Sequence, residues 1–270
     1  MTDSDDKTAS DGKDPAFAPS RWHLKRAMGL GRALVKASYG TRRQTDTLVI
    51  DGHVRIGDKI ITDPKHMVSP QDDIYLDGEL LKTVATRYFA IHKPLWMQSG
   101  EIEGAGRKKI DELFPGSVTG LVAAGRMDTQ TSGLVLVSND SEWNNLITTS
   151  IGLEQEYRVQ VMGELSTLEI KVMTAGATLP NLGVVKPKSV RIIEVFEGQS
   201  VISLTIGDGK IREVRKMLQS LRHQVKTVRR VRIGDIRISQ LPAGGRRELS
   251  QPEVASIRTI SAALRRSAGS

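Results

Sequence analysis

Five short apolar runs separated by turns constrain this chain most: RYFAIHKP, GLVLVSN, EYRVQVMG, SVRIIEVFE and SVISLTIGDG. Each has the length of a strand. Helical patterns fit KKIDELF, SEWNNLITTS, TLEIKVMTAG and REVRKMLQSLR, in irregular order with the strands. Irregular order and short turns argue against repeated βαβ units. They predict an α+β fold with a mixed, mainly antiparallel sheet.

A smaller unit precedes this region. Residues 21–43 read as helical, with Leu24, Met28, Leu34 and Val35 among basic residues. Alternating Val54 and Ile56, the Gly57–Asp58 turn and Ile60–Ile61 then read as a hairpin. The expected divisions are an acidic disordered tail at 1–20, a basic module at 21–82, a larger domain at 83–251, and a tail at 252–270 that starts with a last helix.

With 270 residues the chain can bury a substantial core, resting on aliphatic residues because aromatics make up only 4%. It has no cysteine, which excludes disulfides, thiolate catalysis and Cys-ligated zinc. His23, His53, His66, His92 and His223 form no HxH or HxxxH pair, so no metal site is expected. Without a signal-peptide pattern or a membrane-length apolar run, a cytoplasmic protein that needs no membrane is expected.

The net charge of +8 favours a polyanionic partner, and its distribution says more. Residues 21–43 carry seven Lys/Arg and no acid. Residues 207–237 carry ten Lys/Arg against Asp208, Glu213 and Asp235. That imbalance exceeds what i,i+4 pairing neutralises, so two nucleic-acid contact surfaces are expected.

In GRMDTQTSGLVLVSND, Asp128 sits between Arg126 and a hydroxyl-rich turn that runs into a strand. Alone, it reads more readily as a turn aspartate than as a catalyst. Downstream, GDGKIREVRKM puts a glycine turn before a helix on which Arg212, Arg215 and Lys216 share one face. Val214, Met217, Leu218 and Leu221 form the opposite, core-facing side. Such a cationic face suits phosphates or a carboxylate partner.

Together and in this order, GRMDTQTSGLVLVSND, EYRV and GDGKIREVRKM resemble the three core motifs of RsuA-type pseudouridine synthases, which modify bacterial ribosomal RNA. RALVKASYGTRRQTDTLVIDGHVRIGDKIITDP resembles the S4-like RNA-binding domain that precedes their catalytic domain, and LRHQVKTVRRVRIGDIRISQLPAGGRREL their closing segment. The resemblance implies an S4-like domain followed by a pseudouridine synthase domain, no cofactor, and ribosomal RNA or a pre-ribosomal particle as the partner of a monomer. EYRVQVMGEL, REVRKM and RIGDI…LPAGG are most similar to members acting on large-subunit (23S) rRNA. Small-subunit rRNA, a non-catalytic RNA-binding assembly factor and a DNA-binding regulator are the alternatives.

The resemblance also assigns roles. Asp128 matches the aspartate that attacks or assists at the target nucleotide. Tyr157 matches the tyrosine that stacks on the flipped base and serves later proton transfer. Arg215 matches the basic partner of the aspartate, and Arg126 the arginine that enters the RNA stack. Arg212, Lys216 and Thr131 are expected against RNA, as are Arg32, Thr41, Arg42 and Arg43 of the S4-like module. The chemistry needs an ionised, aimed carboxylate, which an arginine can hold.

Four positions depart from the family pattern. Trp96 stands where a glycine is usual after Lys-Pro, which puts the role of Lys93 in doubt. Gln155 replaces a basic residue, Gly57–Asp58 reverses an Asn-Gly turn, and Arg222 replaces a glycine before His223. None replaces Asp128, Tyr157 or Arg215.

Overall fold

The computed structural model describes residues 26–82, 85–99, 109–118, 120–179, 183–207 and 211–268. The acidic 1–20 segment, Leu24, and Asp208–Gly209 of the expected glycine turn lie outside them.

The helical stretch expected over 21–43 is broken in two. Met28–Gly29 pairs as a short strand with Met67–Val68, and helix α1 covers Leu30–Lys36. The chain then turns through Ser38 (φ +67°) and Gly40 (φ +140°) into α2, Arg42–Ile50. Thr41 caps α2: its hydroxyl accepts from the Gln44 N–H while the Gln44 side chain accepts from the Thr41 N–H. Lys59–Ile60, Val54–Ile56, Ile74–Leu76 and Glu79–Leu80 form a four-stranded sheet in that order. Leu30, Ala33, Leu34, Val49, Val54, Val68 and Ile74 make the core between helices and strands.

The larger domain is a nine-stranded sheet. Its main strands in chain order are β1 (Tyr88–Lys93), β2 (Thr131–Ser138), β3 (Gln155–Met162), β4 (Ser189–Phe196), β5 (Gln199–Ile206), β6 (Val225–Ile233) and β7 (Arg246–Glu248). Their order across the sheet is β4-β5-β3-β6-β2-β1-β7. Along this path every pairing is antiparallel except β6–β2, which is parallel. Val122–Ala123 adds to β2 and Ile236–Arg237 to β6. The central strand β6 is absent from the strands predicted above, because KTVRRVRI hides its alternation under charge.

Helices α4 (Thr167–Ala175) and α5 (Ile211–Ser220) lie over one half of the sheet, whose core holds Val159, Met173, Ile202, Leu204, Val214, Met217 and Leu218. Helix α3 (Ser141–Thr149) packs Trp143 with Leu134, Leu136 and Ile233 over the other half. The described part of KKIDELF, from Lys109, forms only a 3₁₀ turn at Ile110–Leu113.

The segment set apart above as a tail is packed on this domain, over its described residues, as helix α6 (Gln251–Ala268). Val254 and Ile257 are buried in the α3 core, and the Trp143 Nε1–H donates to Val254 O at 3.1 Å. Arg258 reaches Asp140 at 2.8 Å. The apolar residues of α6 recur at helical spacing, so this helix completes the core.

Candidate active site

The site forms where β2 and β6 run parallel. Gly133 on β2 stands opposite Arg230 on β6, and Arg230 stands opposite Tyr157 on β3. A Cβ at residue 133 would collide with the Arg230 backbone, and φ there is +109°, so only glycine lets the strands close. Loop 126–130 feeds directly into β2, which sets Asp128 beside this crossing. Helix α5 buries Val214, Met217 and Leu218 and thereby turns Arg215 toward the same loop.

Arg215 holds that loop with three hydrogen bonds. Nη1 donates to Gln130 Oε1 at 3.0 Å, and Nη2 donates to Gln130 O at 3.1 Å and to Thr131 Oγ1 at 2.7 Å. Its Nη2 also lies 3.6 Å from Asp128 Oδ1, while Arg212 Nε lies 3.9 Å from Oδ2. Both distances fit ion pairs but exceed hydrogen-bond length. Asp128 is only 14% exposed, and its Oδ1 is buried with no hydrogen-bond partner among the described residues. The carboxylate is therefore flanked by cations yet keeps lone pairs free for another reactant.

Tyr157 is buried, and its hydroxyl donates to Gln155 Oε1 at 2.8 Å. The same oxygen accepts from Arg230 Nη1 at 2.9 Å, and Arg230 Nε donates to Leu134 O at 2.8 Å. Burial raises the Tyr157 pKa, against the opposing charge of Arg230, so its hydroxyl is protonated at neutral pH.

Lys93, at the end of β1, is fully buried. Its ammonium donates to Pro94 O at 3.0 Å and Met97 O at 2.8 Å, tying down the loop after the Lys-Pro pair. Burial brings its pKa down to about 8; the charge of Asp128 resists this and that of Arg230 adds to it.

The structure thus brings Asp128, Arg215, Arg212 and Tyr157 to one crossing. Arg126 and Lys216 are exposed, and the Arg126 side chain has no ion pair among the described residues. Arg32, Arg42 and Arg43 are exposed on α1 and α2, with Arg42 paired to Asp46 at 2.8 Å. Two residues expected against RNA make bonds within the protein. Thr131 is buried with its hydroxyl accepting from Arg215, so it supports the site. The Thr41 side chain is used in capping α2.

Sequence reasoning passed over Gln130 and Arg230 and read Lys93 and Gln155 only as uncertain positions. Lys93 had a signal, since it follows the apolar run Tyr88–Ile91 and His92 at the end of a strand that is buried throughout. Gln155, standing where a cation is usual, acts as the acceptor that joins Tyr157 to Arg230. Arg230 had no signal, because adjacent arginines in VRRVRI read as surface charge. Among the described residues no group of three or more His, Cys, Asp or Glu could hold a metal ion. No helix among them is long and apolar enough to cross a membrane.

Residues 87–220 match the family model described as RNA pseudouridylate synthase, and residues 28–74 match the S4 domain. The chain is 31% identical over 233 residues to a ribosomal large subunit pseudouridine synthase B of Yersinia pestis, covering 82% of this chain and 72% of that protein. It is 27% identical over 234 residues to the protein of the same name in Bacillus subtilis (86% and 96% covered). An uncharacterized RNA pseudouridine synthase of Aquifex aeolicus is 29% identical over 231 residues (84% and 92% covered). A solved structure described as a pseudouridylate synthase superposes with a TM-score of 0.59 at 26% identity, covering 85% of this chain and 99% of that one. By these matches, in the domain order the motifs imply, the chain belongs to the RsuA-type RNA pseudouridine synthases, with an S4 domain ahead of the synthase domain.

Proposed function

We propose that this enzyme converts a specific uridine of bacterial large-subunit (23S) ribosomal RNA to pseudouridine, with Asp128 as its catalytic carboxylate. The observation that carries this reading is Asp128 itself, held beside Arg215 and Arg212 with a buried oxygen left without a hydrogen bond. The names of the large-subunit relatives support the choice of RNA.

The reaction is an isomerisation, so all atoms of the uridine are retained. The target nucleotide leaves the RNA stack, at a cost of a few kcal/mol that contacts to base and phosphate offset. Arg126, exposed just ahead of Asp128, fills the gap it leaves. Asp128 attacks or assists as the bond between N1 and C1′ breaks. The uracil turns over, and C5 bonds to C1′. The C5 proton is then lost and N1 gains one, which conserves composition. Tyr157 stacks on the flipped base, and its protonated hydroxyl serves the proton transfer. Arg215 aims the carboxylate through its grip on Gln130 and Thr131.

Arg212 and Lys216 contact phosphates near the site, and Arg32, Arg42 and Arg43 of the S4 domain do so at a second surface. The enzyme acts in the cytoplasm as a monomer on rRNA or a pre-ribosomal particle. Mapping pseudouridines in rRNA from a strain lacking this gene tests the substrate. One 23S position is expected to revert to uridine. Loss at a 16S position instead would move the substrate to the small subunit, and no loss anywhere would overturn the reading.

A further inference from the structure

Trp96 combines two unfavourable features that the free protein does not compensate. Its backbone is left-handed (φ +64°), a conformation that crowds any side chain. Its indole is 70% exposed, although aromatics are scarce in this chain. Strain kept at a single residue beside a reactive group is a mark of function.

The residues around it are fixed. The Trp96 N–H donates to Thr129 O at 2.7 Å, one residue from Asp128. Buried Lys93 ties Pro94 O and Met97 O from below, and Met97 is part of the core. Ser99 Oγ accepts from the Met127 N–H at 2.6 Å and donates back to Met127 O at 3.2 Å. The loop is thus stitched to the segment that carries Asp128 at both ends, while Leu95 and the Trp96 indole face solvent. A rigid loop that presents an exposed aromatic ring, anchored by its backbone one residue from the reacting carboxylate, is suited to a planar apolar partner. In an enzyme that opens an RNA stack, that partner is a nucleobase, whose exposed face stacks on aromatic rings irrespective of sequence.

We propose that Trp96 is an RNA-stacking residue that receives a nucleobase next to the flipped uridine. This rests on the functional reading above. Trp96 is a binding residue, and the chemistry stays with Asp128.

The test uses full-length protein carrying Trp22→Phe, so that Trp96 and buried Trp143 are the remaining tryptophans, and a protein-free 23S rRNA transcript. RNA should quench the fluorescence of this protein, and the quenching should vanish with Trp96→Phe. Trp96→Gly should raise KM roughly tenfold, the effect of one lost base–aromatic contact, while the single-turnover rate at saturating RNA stays within twofold. Trp96→Phe should restore most of the KM. Glycine relieves the left-handed backbone, so Trp96→Gly should melt no lower than the parent, which separates binding from misfolding. Absence of quenching in the parent, or an unchanged KM in Trp96→Gly, overturns the proposal. A fall in the saturating rate without a change in KM also overturns it. Failure of the functional reading would show differently, as a parent enzyme that forms no pseudouridine.

Discussion

Arg222 ends α5 in a position shaped for glycine. The Arg222 N–H donates to Gln219 O and the His223 N–H to Leu218 O, both at 2.9 Å, which is a Schellman motif with Arg222 at its left-handed residue (φ +63°). Arg222→Gly removes the Cβ crowding and gives back part of that gain through a more flexible unfolded chain. A net stabilisation of about 1 kcal/mol is expected in urea unfolding, and a less stable variant would contradict this account of the cap. Lys93 makes a second residue-scale prediction. Its folded pKa is about 8 against an ordinary 10.5, so between these values the unfolded chain binds a proton that the folded chain has released. Stability should therefore rise with pH through that window, relative to a Lys93→Met variant that lacks the group. Parallel profiles for the two proteins from pH 7.5 to 9.5 would refute the burial argument. At this scale the site was legible only where residue type and chemistry coincide. Asp128, Tyr157 and Arg215 could be picked out by motif. Thr131 could not be recognised as a support, because the partner of its hydroxyl, Arg215, is 84 residues away in sequence.

Elements with a clean period were readable from sequence, and those with charge on the period were not. The strand runs at β1 to β5 and the helices α3, α4 and α5 lie where apolar spacing places them. Strand β6 escaped because its register sets Arg229 and Arg230 on opposite faces, Arg229 half-buried and Arg230 buried at the site. The break between α1 and α2 escaped a purely periodic reading because Leu34 and Val35 continue a helical pattern up to the turn. Helix α4 offers the test at this scale. Ser166 caps it, and Glu169 accepts from the Ser166 hydroxyl (2.6 Å) and backbone N–H (2.8 Å) and pairs with His223 (3.0 Å). These bonds, led by that from the Ser166 hydroxyl, hold the Glu169 pKa at about 2, below the ordinary 4.5. A depressed carboxylate pKa stabilises the fold above about pH 4.5 and loses that contribution as pH falls toward 2. Glu169→Gln should therefore be less stable than the parent at pH 7, with the difference narrowing progressively below pH 4.5. A difference independent of pH from 5 to 2.5 would show that the charge is not what Glu169 contributes.

Over the whole molecule, the S4 domain meets the synthase domain at the turn between its two helices. A Cβ at Gly120 would collide with Ser38 O, and Lys36 reaches Glu142 at 3.4 Å on the surface. The close backbone approach matters more than the ion pair, since exposed pairs contribute under about 1 kcal/mol. Domain order and chemistry class were legible because four motifs occur in sequence order. The packing of α6 on Trp143 was not, because its apolar residues complete a core that other segments begin. What unites the molecule functionally is one carboxylate placed at the single parallel junction along the main strand path, with an oxygen left free for a reactant. The most direct test is Asp128→Asn, assayed for pseudouridine in a 23S rRNA transcript alongside RNA binding. No detectable pseudouridine is expected, with the RNA dissociation constant within a few fold of the parent's. Conversion at the parent rate would contradict it.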